Sequence, residues 1–348
     1  MAKTDRLKTR RTITKIVSFS VTMALFLSVA TAQNEGQYTH FMNNRLSYNP
    51  AYAGSSGNIS ITLLYRNQWM GLNLQPSTPG EDAGSTPTDM LASFDMPVKW
   101  LHGGIGATFN SEKIGYHNNT SIALDYAFRI YWGPGNLAAA IEANLNSLQF
   151  DPSLLVGHSD FEGGQTTTND PLVGSKEGSD FLIDFSTGLY YQVPSVYYIS
   201  LSVKNLLAAK SQTFNFHNVR TLYLMGGYEY AFPYNPSFKL KPSLLVKSSG
   251  LRTTQLDIAC LLDYRNAFWC GLGYRGLGYG REDSFNVLAG VNFLKVLQIG
   301  VAYDLTISKL GFGNGRSFGS LELYLNLAFQ IDIPQHPPTV SGNTLYLR

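Results

Sequence analysis

Residues 319–330 read GSLELYLNLAFQ, and the meaning of their alternation decides the fold. Leu321, Leu323, Leu325, Leu327 and Phe329 fall on one side of a period-2 pattern; Ser320, Glu322, Tyr324, Asn326 and Ala328 fall on the other. Such a pattern is a strand with one apolar and one polar face. The same reading holds upstream. DSFNVLAGVNFL (283–294) opposes Phe285, Val287, Ala289, Val291 and Phe293 to Asn286, Leu288, Gly290 and Asn292. NNTSIALDYAFRIY (118–131) opposes Ile122, Leu124, Tyr126, Phe128 and Ile130 to Ala123, Asp125, Ala127 and Arg129.

Extended along the chain, this signal marks 14 strands, near 57–70, 88–97, 102–112, 117–131, 136–148, 180–192, 195–205, 219–232, 237–248, 253–264, 267–275, 283–293, 296–306 and 319–330. Short connections with turn residues, at 98–101, 132–135, 193–194, 233–236, 265–266 and 294–295, alternate with longer ones, notably 71–87, 149–179, 206–218 and 307–318. A β-sandwich also has many alternating strands. It does not readily explain an even count, membrane-length strands and alternating connections together. A transmembrane β-barrel explains all three, and its closure leaves no unpaired backbone in lipid.

Charge placement agrees. Asp95, Asp125, Arg129, Glu142, Asp184, Lys204, Glu229, Lys239, Lys241, Asp257, Asp263, Arg275, Asp304 and Glu322 all take the polar phase. An Arg or Lys turned to lipid at mid-membrane costs about 2–4 kcal/mol. Composition points the same way: charged residues make up 14% of the 348, aromatics 13%, and mean hydropathy is −0.07. A soluble domain carries roughly 25% charge, and a helical membrane protein is far more apolar. The net charge of +2 offers no basic surface for nucleic acid.

The first fifteen residues hold six of the 26 basic ones, and are followed by IVSFSVTMALFLSVA (16–30) and an Ala30-Thr31-Ala32 site. This predicts a secretory signal peptide over 1–32, cut before Gln33, with an N-terminal anchor as the competing reading. No later run approaches the ~18 apolar residues of a spanning helix. The expected organisation is therefore 1–32 leader, 33–56 N-terminal segment able to fill the lumen, 57–330 barrel and 331–348 periplasmic tail. Both barrel termini are expected on the periplasmic side of the outer membrane. Cys260 and Cys270 read as two small hydrophobes on neighbouring strands.

The barrel reading explains an otherwise awkward stretch, NPAYAGSSGNISITLLYRNQWMG (49–71). Ile59, Ile61, Leu63, Tyr65 and Trp69 take the lipid phase, with Tyr65 and Trp69 as interface anchors. Asn58, Ser60, Thr62, Arg66 and Gln68 take the lumen phase, and Asn67 breaks the apolar phase near the headgroups. Asn49, Pro50, Tyr52 and Gly54 form a fixed turn into the first strand. Arg66 is placed to pair with an interior carboxylate such as Glu322 across the closing seam.

Catalytic, cofactor and metal motifs do not emerge. His40, His102, His117, His158, His217 and His336 all lie in turns, loops or terminal segments. There is no G-x-S-x-G, H-E-x-x-H or paired-cysteine motif. The acidic GHSDFEGGQTTTNDP (157–171) lacks EF-hand spacing, and CGLGYRGLGYG (270–280) has no helix after it to make a phosphate cradle. Mixed-sign lumen positions with large residues (Tyr190, Tyr198, Tyr324, Leu245, Leu288) favour a filled interior over an open pore.

QYTHFMNNRLSYNPAYAGSSGNISITLLYRNQWMGL (37–72) resembles the start of the PorP/SprF family, outer-membrane proteins of the type IX secretion system in Bacteroidota. Gln37, Tyr38, Phe41 and Met42 match its first element, Asn49 to Gly54 the second, and Tyr65, Arg66, Gln68 and Trp69 the third. CGLGYR (270–275) and the closing AYDLTIS (302–308) and GSLELYLNLAF (319–329) are similar to its late strands. The tail after residue 330 and the long 149–179 connection depart from it. The resemblance implies a non-enzymatic role in secretion or surface anchoring of cargo with type B C-terminal domains, including gliding adhesins. It also implies contact with outer-membrane lipid and with periplasmic components tied to peptidoglycan. A channel for hydrophobic or small solutes is the alternative. Asn49–Gly54 and Tyr65–Trp69 are the residues that would touch a partner or fix the plug, and a purely folding role for them stays open.

Overall fold

The computed structural model describes residues 36–71, 86–115, 117–150, 178–211, 216–250, 253–277, 283–294, 296–308, 311 and 317–330. The expected leader 1–32, most of the 71–87 and 149–179 connections and the tail 331–348 lie outside the described residues.

Fifteen strands are laid down in chain order: β1 (Asn58–Met70), β2 (Thr88–Val98), β3 (Gly103–Ile114), β4 (His117–Trp132), β5 (Gly135–Phe150), β6 (Gly178–Val193), β7 (Tyr197–Lys204), β8 (Thr221–Tyr228), β9 (Tyr230–Ala231), β10 (Phe238–Ser249), β11 (Thr253–Tyr264), β12 (Phe268–Arg275), β13 (Ser284–Phe293), β14 (Leu297–Thr306) and β15 (Gly319–Gln330). β8 and β9 are two pieces of one stave, interrupted at Glu229, so the staves number fourteen. Pro242 of β10 stands at this interruption and has no N–H to give the ladder.

Each stave pairs antiparallel with the next, and β15 returns to β1. The closing register runs from Asn58↔Gln330 to Arg66↔Glu322 and Asn67↔Leu321, then slips at a bulge before Met70↔Gly319. The sheet is therefore a closed barrel without a free edge.

The two faces separate as the alternation requires. Leu124, Ile141, Phe181, Ile183, Ile199 and Leu272 are exposed outward. Asp95, Asp125, Glu142, Asp184, Asp257, Asp263, Arg275, Asp304 and Glu322 are buried inward. Arg129, Lys204, Glu229, Lys239 and Lys241 are half-buried. The connections at the end where β1 starts are short, and their flanks carry Trp100, Tyr131, Trp132 and Tyr234, all well exposed and suited to an interfacial belt.

Two joins at the opposite end depart from the expected long loops. β3 passes to β4 through 115–116, and β10 to β11 through 250–252. Gly115 (φ +56°) and Gly250 (φ +58°) take the left-handed backbone that lets a chain reverse this tightly. Cys260 and Cys270 are free thiols on neighbouring strands.

The core lies inside the barrel. Tyr38, Phe41, Met42, Leu46, Tyr48, Ala51 and Ala53, all from the segment before β1, are buried against inward side chains including Tyr190, Tyr223, Met225, Leu245 and Leu288. A 3-10 helix at Pro50–Tyr52 turns this segment toward β1.

Candidate functional site

The lumen segment is fastened to the wall at two places. The first lies at the closing seam. Arg66 of β1 and Glu322 of β15 are register partners, and Arg66 Nη1 reaches Glu322 Oε2 at 3.1 Å. Arg66 Nη2 donates to Asp304 Oδ2 of β14 at 2.7 Å, and Arg275 Nη1 of β12 approaches the same oxygen at 3.1 Å.

Between the two guanidinium groups sits one hydroxyl. Thr39 Oγ1 accepts from Arg66 Nη1 (3.0 Å) and Arg275 Nη2 (2.9 Å) and donates to Asp304 Oδ1 (2.7 Å). Asn286 Nδ2 donates to Asp304 Oδ1 at 2.6 Å. Glu322 takes the Thr39 N–H (2.7 Å) and the His40 N–H (2.8 Å), and its Oε1 lies 2.7 Å from His40 Nδ1. The His40 ring stacks on Tyr324 (5.2 Å, 15°) and meets Trp269 edge-on (5.8 Å). These ions are almost wholly removed from solvent, where a charge is tolerable only when paired and hydrogen-bonded.

The second fastening is the Asn49–Gly54 turn. Asn49 Oδ1 caps the 3-10 helix by accepting from Ala51 N at 2.8 Å, while Nδ2 donates to Leu189 O (2.9 Å) and Ser200 Oγ (2.7 Å). Gly54 N donates to Asp95 Oδ2 of β2. Arg129 of β4 donates to the carbonyls of Gly54 (2.9 Å) and Ala53 (2.7 Å). Gly54 has φ +67°, and a Cβ there would lie 2.8 Å from Met96 O and Pro97 Cα, so no side chain fits. Just before the first fastening, burial, reinforced by the Asp89 charge, holds the Tyr38 phenol well above its ordinary range, and between the two, burial raises Tyr48. Both rings enter the packing as neutral groups.

The eight residues singled out in sequence thus divide. Asn49, Pro50, Tyr52 and Gly54 make the turn at one fastening, and Arg66 makes the other. Tyr65 lies opposite Leu323 and Met90 on the outward phase. Gln68 and Trp69 belong to the bulge; Trp69 has φ +55°, and its N–H donates to Ser320 Oγ. The alternation that pairs Trp69 with Tyr65 is broken there.

Thr39, His40, Arg275 and Asp304 belong to this candidate site but were not among the residues singled out from the sequence. Their signal is present in the pattern, since Arg275, Asp304 and Glu322 are inward charges on neighbouring strands close to Arg66. The fully buried His40 has no partner for Nε2, so among the described residues no hydroxyl is set against it as a nucleophile. The arrangement ties the lumen segment to the barrel wall.

A family profile described as "Type IX secretion system membrane protein PorP/SprF" matches residues 30–326. No curated protein matches. Solved structures with similar barrels include the Acinetobacter baumannii outer membrane protein Omp33, at 4% identity over 78% of this chain and 99% of that one, with a TM-score of 0.44. The TodX deltaS2S3 mutant monoaromatic hydrocarbon channel is 12% identical over 83% and 94%, with a TM-score of 0.46. The Ralstonia pickettii toluene transporter TbuX is 12% identical over 81% and 91%, with a TM-score of 0.44.

Proposed function

Because the chain belongs to the PorP/SprF family of type IX secretion system membrane proteins, we propose that it is a non-enzymatic outer-membrane barrel that assists secretion or surface anchoring of cargo. The cargo class is proteins with type B C-terminal domains, gliding adhesins among them. Periplasmic secretion components linked to peptidoglycan meet the end that carries both barrel termini, which faces the periplasm.

The observation that supports this reading most is the clamped lumen segment. A diffusion channel needs a continuous aqueous path, whereas here Thr39 and His40 are tied into Arg66, Asp304 and Glu322 inside the barrel. A barrel filled in this way acts through its surfaces and its partners. Asn49–Gly54 and Arg66 hold the segment that fills it, and Tyr65, Gln68 and Trp69 sit at the opposite rim, where the longer connections emerge.

Affinity purification from native outer membranes, followed by mass spectrometry, tests the proposal. Recovery of a large exported protein or its C-terminal domain supports it. Recovery of lipid and small solutes alone, together with conductance steps, favours the channel for hydrophobic or small solutes.

A further inference from the structure

One cross-strand row on the outward face carries a hollow. Ile199, Gly226, Leu244, Ile258, Tyr274 and Phe285 are successive register partners on β7, β8, β10, β11, β12 and β13. Gly226 contributes no side chain, and the exposed Ile199, Leu244 and Leu272 flank the hollow. The result is an apolar groove of about 710 Å³. It crosses six neighbouring strands, which at about 4.8 Å per step makes it about 24 Å long.

Toward the end of the barrel where β1 begins, the groove meets a break in the wall. The β8–β10 ladder stops at Gly227↔Ser243, and pairing resumes on β9 at Tyr230↔Leu240. Glu229 N donates instead to Val196 O, in the turn between β6 and β7. On the lumen side of the break lies a cavity of about 190 Å³, which shares Tyr197, Tyr198, Gly227, Tyr228 and Ser243 with the groove. The half-buried Arg45 borders this cavity. Its Nε donates to Met42 O (2.8 Å) and its Nη1 to Tyr190 Oη (3.0 Å), and its guanidinium lies 3.9 Å from the Tyr198 ring centre. Nη2 has no partner among the described residues, and no carboxylate there pairs with Arg45. Lys239 and Lys241 beside it differ, being paired with Glu229 and Asp263.

We infer that groove and cavity together bind one anionic phospholipid, with an acyl chain along the groove and the phosphate at the break, on the Arg45 side. The groove's length selects a chain over a compact apolar solute. Its apolar outward lining faces the bilayer and offers nothing to answer the backbone polar groups of a protein segment. The head is selected by charge: an arginine without a carboxylate partner and with a free donor favours a phosphate. The break supplies the position, since only there do an apolar outer hollow and a cation-bordered inner one share residues among the described cavities. This goes beyond general contact with membrane lipid and is independent of the secretion reading.

The test uses the full-length barrel in detergent, titrated with dioleoylphosphatidylglycerol and separately with dioleoylglycerol, which has the same chains and no phosphate. Native mass spectrometry counts the lipid bound. One equivalent of the phospholipid is expected, with the diglyceride about tenfold or more weaker. A Cβ at Gly226 would meet only Tyr198 O at 3.6 Å and Leu244 Cγ at 4.0 Å, so a side chain fits the wall and fills the groove. Gly226→Phe should therefore lose the bound equivalent with heat-modifiable gel mobility unchanged, and Arg45→Gln should bring the phospholipid down to the diglyceride's level. In the unmodified protein, a phosphatidylglycerol with a diazirine in its acyl chain should cross-link to β8, β10, β11 or β12 at the groove. Lipid retained only in graded, non-stoichiometric amounts, equal binding of the two lipids, no effect of either variant, or cross-links mapping elsewhere would each overturn the inference.

Discussion

Arg66 and Glu322 face each other across the closing seam, as register partners in the first and last strands and as an ion pair 3.1 Å apart. One contact thus joins the ends of the barrel and, through Thr39 and His40, the segment inside it. Removing one member of a buried pair strands the other charge, at about 3–5 kcal/mol. Arg66→Ala is therefore expected to lower the urea midpoint and the yield of heat-modifiable barrel. Arg66→Lys should recover only part, because an ammonium cannot span Asp304, Thr39 and Glu322 together. Equal stability of all three proteins would remove Arg66 from this role.

Thr39 separates the segment's contribution from that of the wall. Thr39→Val keeps the shape and deletes the hydroxyl that two guanidinium groups and Asp304 share. The expected loss is about 1–3 kcal/mol, with the barrel still closed. Limited proteolysis should then cut within 36–57 before it cuts any strand. Simultaneous loss of both would show that segment and wall unfold as one.

Asn49 does two jobs that a single substitution divides. Asn49→Asp retains the cap to Ala51 N and deletes the donors to Leu189 O and Ser200 Oγ. Asn49→Ala deletes both, with the cap alone worth about 1 kcal/mol. Unfolding midpoints should fall in the order wild type, Ala, Asp, because the aspartate turns a buried carboxylate oxygen onto the Leu189 and Leu201 carbonyls. An aspartate variant as stable as wild type would mean that only the cap matters.

Gly54→Ala meets a positive φ and backbone atoms of Met96 and Pro97 at 2.8 Å. Both effects act against it, so assembled barrel should drop more than for Gly57→Ala. Gly57 has a positive φ as well, but open space around its Cβ position. Equal yields of the two variants would contradict the close approach of this turn to β2.

The contrast between wall and filling shows where sequence is informative. Lipid outside and polar groups inside force a period of two, so Leu321 to Phe329 and the inward charges could be placed strand by strand. Arg66 and Glu322 could be paired because antiparallel closure fixes their level. Thr39 and His40 could not be linked to Asp304 and Glu322, because no periodicity governs an irregular coil folded inside a lumen. The bulge at Trp69 was equally hidden, since a tryptophan at φ +55° runs against local preference. The tight joins at Gly115 and Gly250 turned on backbone freedom that the alternation does not report.

The central claim is that the segment before β1, held by Arg66, Asp304 and Glu322, closes the lumen. Planar-bilayer recording of the purified barrel tests it most directly, with wild type beside a Thr39→Val/Arg66→Ala double variant. The account predicts an electrically silent wild type and discrete conductance steps once the clamp is cut. Stable, ohmic conductance through the wild-type barrel would contradict it.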